Sequence, residues 1–172
     1  GSHYSTIQAL EQWLAPDDIN LSFNDGLLFK RLELLVDGKV PAASLFSAPY
    51  YVVEQLGFRK ICDSTFMMSG MISGDPDMED VRKYYAALRR AQRDIDLRPE
   101  LYTHYYLKEL PARYHDMIDV RRMGPGERIV FESYSLDIFE NSRAWIAEHD
   151  IFPDGEGMGD ASYEEATVSL AG

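Results

Sequence analysis

The stretch from Leu32 to Asp63, LELLVDGKVPAASLFSAPYYVVEQLGFRKICD, constrains the fold more than any other part of the chain. Its residue types read as helix, tight turn, buried strand, loop, helix, strand, one α/β unit with a binding loop in its middle. Leu32, Leu35 and Val36 stand at helical spacing, and Asp37-Gly38 ends that helix through a residue tolerant of positive φ. The segment Val40-Pro41-Ala42-Ala43-Ser44-Leu45-Phe46 is short and apolar enough for a strand covered on both faces. It runs out at Ser47-Ala48-Pro49-Tyr50-Tyr51. Ligands of open α/β sheets settle just beyond the carboxyl ends of strands, where backbone N–H groups and the next helix N-terminus are exposed. Ser47, Tyr50 and Tyr51 are therefore candidate ligand contacts, with hydroxyls for hydrogen bonds and rings for stacking. The competing reading of the tyrosines is as core or interface residues.

Upstream, Ile7, Leu10, Trp13 and Leu14 predict a helix over 4–14, with Ser5 or Thr6 able to cap its first turn. Residues 19–23 alternate as a strand does, and Asn24-Asp25-Gly26 leads into the helix that runs through Val36. With strands at 40–46 and 58–63, residues 1–64 read as an α/β ligand-binding lobe. Its opening Gly1-Ser2-His3-Tyr4-Ser5-Thr6 presents small side chains and backbone N–H groups at a helix N-terminus, which holds a carboxylate, phosphate or sulfonate without a dedicated cation. Ser2, His3, Tyr4 and Ser5 are accordingly candidates, and Asn24, at the end of a strand, extends the same rim. Simple capping and turn formation explain the same residues, and Gly1-Ser2-His3 reads equally as native or as the remnant of a cleaved affinity tag.

The order of these pieces carries a resemblance. A helix ending in Gly38, a V-x-A-A strand at Val40 to Ala43, a Pro49-containing loop, a helix ending in Leu56-Gly57-Phe58-Arg59 and a last strand ending in Asp63 resemble the second lobe of type II periplasmic solute-binding proteins. Within that fold the chain is similar to the binders of nitrate, sulfonates and thiamine precursors, from Gly1 to about Phe152. The resemblance implies an α/β, periplasmic-binding-protein-like lobe with additional C-terminal helices. It also implies capture of a small anionic or heteroaromatic ligand by domain closure, and delivery to an ABC permease. In the resembling proteins the matching Gly-Ser turn contacts the ligand. Such proteins normally begin with a first-lobe segment that this sequence does not show, which implies either that the chain is the later part of a longer protein or that another chain, a complementing one or a second copy, completes it. Decarboxylases, desulfinases and the thiamine pyrimidine synthase resemble the same binders, and in that alternative His3 is the general acid or base, helped by Tyr50 or Ser47. A third alternative is a subunit or fragment that is completed by a partner chain. The location follows the choice: extracytoplasmic for a transporter component, cytoplasmic for an enzyme.

Residues 65–152 read as a crossover and helical return segment. An uncharged run over 64–73 leads to a helix over 77–95, with Val81, Tyr84, Tyr85, Leu88, Ala91 and Ile95 on one face. Residues 99–117 are again helical in composition, Ile129-Val130-Phe131 is a brief extended piece, and 136–149 is a last amphipathic helix. The tyrosines at 84, 85, 102, 105, 106 and 114 fit helix-to-helix packing. Residues 153–172 form an acidic, Gly-rich tail that orders against a neighbour.

A net charge of -12, from 29 acidic against 17 basic side chains, opposes nucleic acid and anionic membrane as partners. Arg89, Arg90 and Arg93 lie on one helix and Arg121-Arg122 is a short pair, too little clustering to reverse that field. Nothing approaches the ~20 apolar residues of a membrane span, and no charged-then-apolar leader stands at Gly1. The lone Cys62 at the end of an apolar stretch reads as an inert buried thiol. The histidines show no metal spacing, and no nucleophile elbow, Walker loop or GxGxxG occurs, so neither metal nor cofactor is expected.

Overall fold

Helices carry all the regular structure among the described residues of the computed structural model, which are 1–24, 28–68, 70, 72–128, 134–152 and 159–168. In chain order they are α1 (Ser2–Leu10), α2 (Leu28–Val36), α3 (Ser47–Gln55), α4 (Met78–Leu97), α5 (Tyr106–Glu109), α6 (Leu136–Glu148) and α7 (Tyr163–Ala166), with short 3-10 turns between them. The chain divides into two units, one of Gly1–Met68 with Leu88–Ile129 and the other of Ser69–Ala87 with Val130–Gly172.

No described residue lies in a strand, which overturns the expected α/β lobe of the type II binding-protein kind. The segments 19–23, 40–46 and 58–63 have the apolar content of strands and some of their backbone angles, with Phe46 at φ -146 and ψ 173. What they lack is a ladder. Apolar residues with β propensity report burial on a pleated surface, and burial alone does not supply the backbone partners that make a strand. Pro41 removes one donor from the middle segment outright. The chain instead satisfies its backbone inside helices and at their ends.

Those ends follow from glycine. Past α2, Gly38 takes φ +64 while its N–H reaches the Leu35 carbonyl at 3.1 Å and the Lys39 N–H reaches that of Leu34 at 2.8 Å. Past α3, Gly57 at φ +86 repeats the pattern, with Gly57 on Glu54 at 3.1 Å and Phe58 on Val53 at 2.9 Å. Both are Schellman closures, in which a left-handed residue turns the last helical carbonyls onto the N–H groups that follow. The sequence places the first of them correctly. It misplaces the end of α1, which stops at Leu10 and leaves Trp13 and Leu14 exposed, because Pro16 holds Ala15 extended.

The core of the first unit lies between α2, α3 and residues 106–123. Leu32, Ala48, Val52, Val53, Leu110, Tyr114 and Met123 are buried together, with Phe29, Leu45, Tyr51 and Tyr106 packed around them. Leu32 and Val52 are fully buried, each contributing about 1.5–3 kcal/mol of apolar transfer energy. Gln55 fastens the later segment to α3: its Nε2 donates to the Asp119 carbonyl at 3.1 Å and its Oε1 accepts from the Asp119 N–H at 2.8 Å. Residues 99–122 form a chain of single turns, Pro99–Leu101, Thr103–Tyr105, α5, Ala112–Tyr114 and Val120–Arg122, where the composition suggested longer helices. Pro99 and Pro111 open two of them and stop continuous helix at each. Of the tyrosine set, Tyr114 is fully buried, whereas Tyr84 and Tyr105 are exposed.

In the second unit, Arg143 on α6 donates to the Ala161 carbonyl at 2.9 Å and to that of Gly159 at 3.1 Å. The Tyr163 hydroxyl donates to the Tyr134 carbonyl, and α7 opens with a capping box between Ser162 and Glu165. Part of the acidic tail is thus held by α6. The expected extended piece at 129–131 lies outside the described residues.

Candidate functional site

The polar groups predicted at the start of the chain fall in the first turn of α1, and the fold adds a cation to them. Arg31, on the face of α2 beside the buried Leu32, places its Nη1 3.2 Å from the Ser2 hydroxyl and 3.4 Å from the Ser44 carbonyl. A guanidinium therefore stands at the positive end of a nine-residue helix. Two positive ends facing each other repel, and an anion between them removes the repulsion.

The surroundings of Ser2 suit a ring as well as a charge. The His3 imidazole lies 4.9 Å from the Phe23 ring and 4.7 Å from that of Tyr4, centroid to centroid. Its Nδ1 is buried and has no hydrogen-bond partner among the described residues. Phe66 lies so close to Gly1 that a side chain there would meet its ring. A buried ring nitrogen without a partner is uncommon, which keeps His3 a candidate hydrogen-bonding contact.

Other predicted contacts are placed differently. Ser5 is buried, and its hydroxyl donates back to the Ser2 carbonyl at 3.3 Å, while that of Thr6 does so at 2.6 Å. Since α1 begins at Ser2, neither residue is a cap, and the Ser5 hydroxyl is committed to its own helix. Asn24 is half-buried at the edge of the described residues.

Ser47, Tyr50 and Tyr51 lie within α3 itself, and their contacts form a second cluster. The Tyr51 ring meets the Tyr106 ring at 6.3 Å, and both hydroxyls close on the Gly124-Pro125-Gly126 turn, leaving no room for a Cβ at either glycine. The Tyr106 hydroxyl donates to the Gly124 carbonyl at 3.2 Å. Burial, reinforced by Tyr51, raises the Tyr106 pKa above its ordinary value, so the hydroxyl stays a donor at neutral pH. This cluster is a latch that fixes one turn by its carbonyl and glycines. Tyr50 turns away, toward Glu54 at 3.4 Å. Among the described residues, the Tyr50 contact with Glu54 and the Tyr51–Tyr106 cluster are apart from the contacts of His3 with Tyr4 and Phe23.

Arg31 is a candidate contact that the sequence reading missed. It sits in an amphipathic helix among Lys30 and Glu33, where a cation reads as ordinary surface. Only the packing of α2 against the start of the chain brings it to Ser2. An open hollow of about 600 Å³ in the second unit, between Leu136, Phe139, Glu140 and Tyr163, is a weaker candidate because Arg143 there is already spent on two carbonyls. Among the described residues no three His, Cys, Asp or Glu side chains gather as metal ligands, and no helix is long and apolar enough to cross a membrane.

No family model, no curated protein and no solved structure matches the chain.

Proposed function

We propose that this chain is a solute-binding component, or part of one, that captures a small anionic, ring-bearing molecule at the N-terminus of α1. The observation that carries this reading is Arg31 held against Ser2. The guanidinium and the N–H groups at the start of α1 supply the anion contacts, while His3, Phe23 and Phe66 supply ring surfaces. The step is capture without covalent chemistry. An uptake role, with delivery to an ABC permease, rests on the order of sequence elements alone, since the fold that usually accompanies it is absent from the described residues.

The exposed Trp13, Phe23 and Ile61 favour a further polypeptide against the first unit. A screen of melting temperature against nitrate, alkane sulfonates and pyrimidine phosphates tests the capture. At least one of these is expected to raise the melting temperature of the parent and leave Arg31→Gln unmoved. Equal shifts in parent and variant, or none in the parent, would remove Arg31 and α1 from the binding site.

A further inference from the structure

Leu136, Phe139, Glu140 and Arg143 recur at i, i+3, i+4 and i+7, so they form one stripe of α6. That stripe is one wall of the open hollow of about 600 Å³ in the second unit, and residues 160–164 form the other. Two contacts hold the walls together. Arg143 spans them through its bonds to the Ala161 and Gly159 carbonyls, and the Phe139 and Tyr163 rings meet edge to face at 5.8 Å. The hydroxyls of the hollow are also committed, that of Tyr163 to the Tyr134 carbonyl and that of Ser162 to the Glu165 N–H. The carboxylates are not. Glu140, Asp160 and Glu164 all line the hollow, and none takes a hydrogen bond or an ion pair among the described residues. Three carboxylates against one guanidinium leave a formal excess of two negative charges.

We propose that this hollow binds a small organic dication, an alkyl diamine or polyamine, with its ammonium groups on the unpaired carboxylates and its methylenes on Leu136 and Phe139. The hollow already holds one cation of its own chain: the Arg143 guanidinium rests 5.4 Å over the Phe139 ring while it donates to the two carbonyls. What spoils the hollow for an anion therefore suits it to a cation. The spread of the carboxylates selects the kind of cation, because no three such side chains gather as metal ligands among the described residues and one metal ion cannot draw on all of them. An alkyl chain with an ammonium at each end reaches separate carboxylates and covers the apolar surface between them. The volume agrees, since small-molecule sites occupy roughly 300–1,000 Å³.

Calorimetric titration of the full chain with spermidine, 1,5-diaminopentane and butylamine, at low ionic strength, tests the proposal. The parent is expected to bind the first two, and butylamine at least about tenfold more weakly. Glu140→Gln/Glu164→Gln should weaken spermidine and the diamine at least about tenfold. Asp17→Asn/Asp18→Asn removes the same charge from exposed residues of the first unit and should bind as the parent does. Asp160→Asn, which lies outside both helices, repeats the test should the double variant unfold α7. Absence of amine binding by the parent, equal loss in the Asp17 and Asp18 variant, or displacement of the diamine by an equal concentration of magnesium would each overturn the proposal. Binding of a decalysine peptide without binding of either small amine would assign the hollow to a partner protein, and would equally overturn it.

Discussion

At the scale of single residues, the first unit depends on side chains that stand in for backbone. Gln55 exchanges two hydrogen bonds with Asp119 as a neighbouring strand would. Gln55→Leu keeps the shape and strands a partly buried N–H and carbonyl, so it should cost about 1–3 kcal/mol in a urea melt. A loss near zero would mean that water replaces both bonds. Asp63 accepts from Lys60 at 2.7 Å and from the Thr65 N–H at 2.9 Å, and these bonds hold its carboxyl well below the usual carboxylate range. A depressed folded pKa contributes stability that is complete above the unfolded value of about 4 and is lost as the pH falls through the folded one. The group is exposed, so the contribution is small, and the cleaner check is the carbon chemical shift of its carboxyl. That titration should have its midpoint below those of the unpaired aspartates, and an ordinary midpoint would show the turn to be unformed in solution.

At the scale of elements, helix ends were the most legible feature and strands the least. Asp37-Gly38 could be read as a helix stop because left-handed backbone favours glycine, and Gly38 closes α2 by that route. The Leu56-Gly57-Phe58 sequence does the same for α3. Around both glycines a Cβ would meet open space, so Gly38→Ala and Gly57→Ala should each lose about 1–2 kcal/mol from backbone strain alone, and Gly57→Asn should lose less. Equal stability of the alanine variants would show that these closures are not formed. The apolar runs at 40–46 and 58–63 could not be read in the same way. A helix carries its partners within itself, whereas a strand depends on residues far along the chain, and one-dimensional pattern holds no record of which partner arrives. The site followed this division. Ser2 and His3 could be picked from the start of α1, but Arg31 became visible only when α2 was placed beside them.

At the scale of the molecule, the first unit is helical, has a modest core, and keeps large apolar side chains at its surface. Phe23 is 76% exposed and Trp13 69%. Phe23→Ser should therefore change stability by no more than about 0.5 kcal/mol while weakening ring-bearing ligands, a combination that a buried phenylalanine would not give. The proposed capture needs an anion held jointly by Arg31 and the first turn of α1. Calorimetric titration of Ser2→Asp with an anion that binds the parent tests this most directly. The new carboxylate would pair with Arg31 at the positive end of the helix, so the variant should melt higher than the parent and bind the anion at least about tenfold more weakly. A Ser2→Asp variant that gains stability and still binds as tightly as the parent would contradict the account.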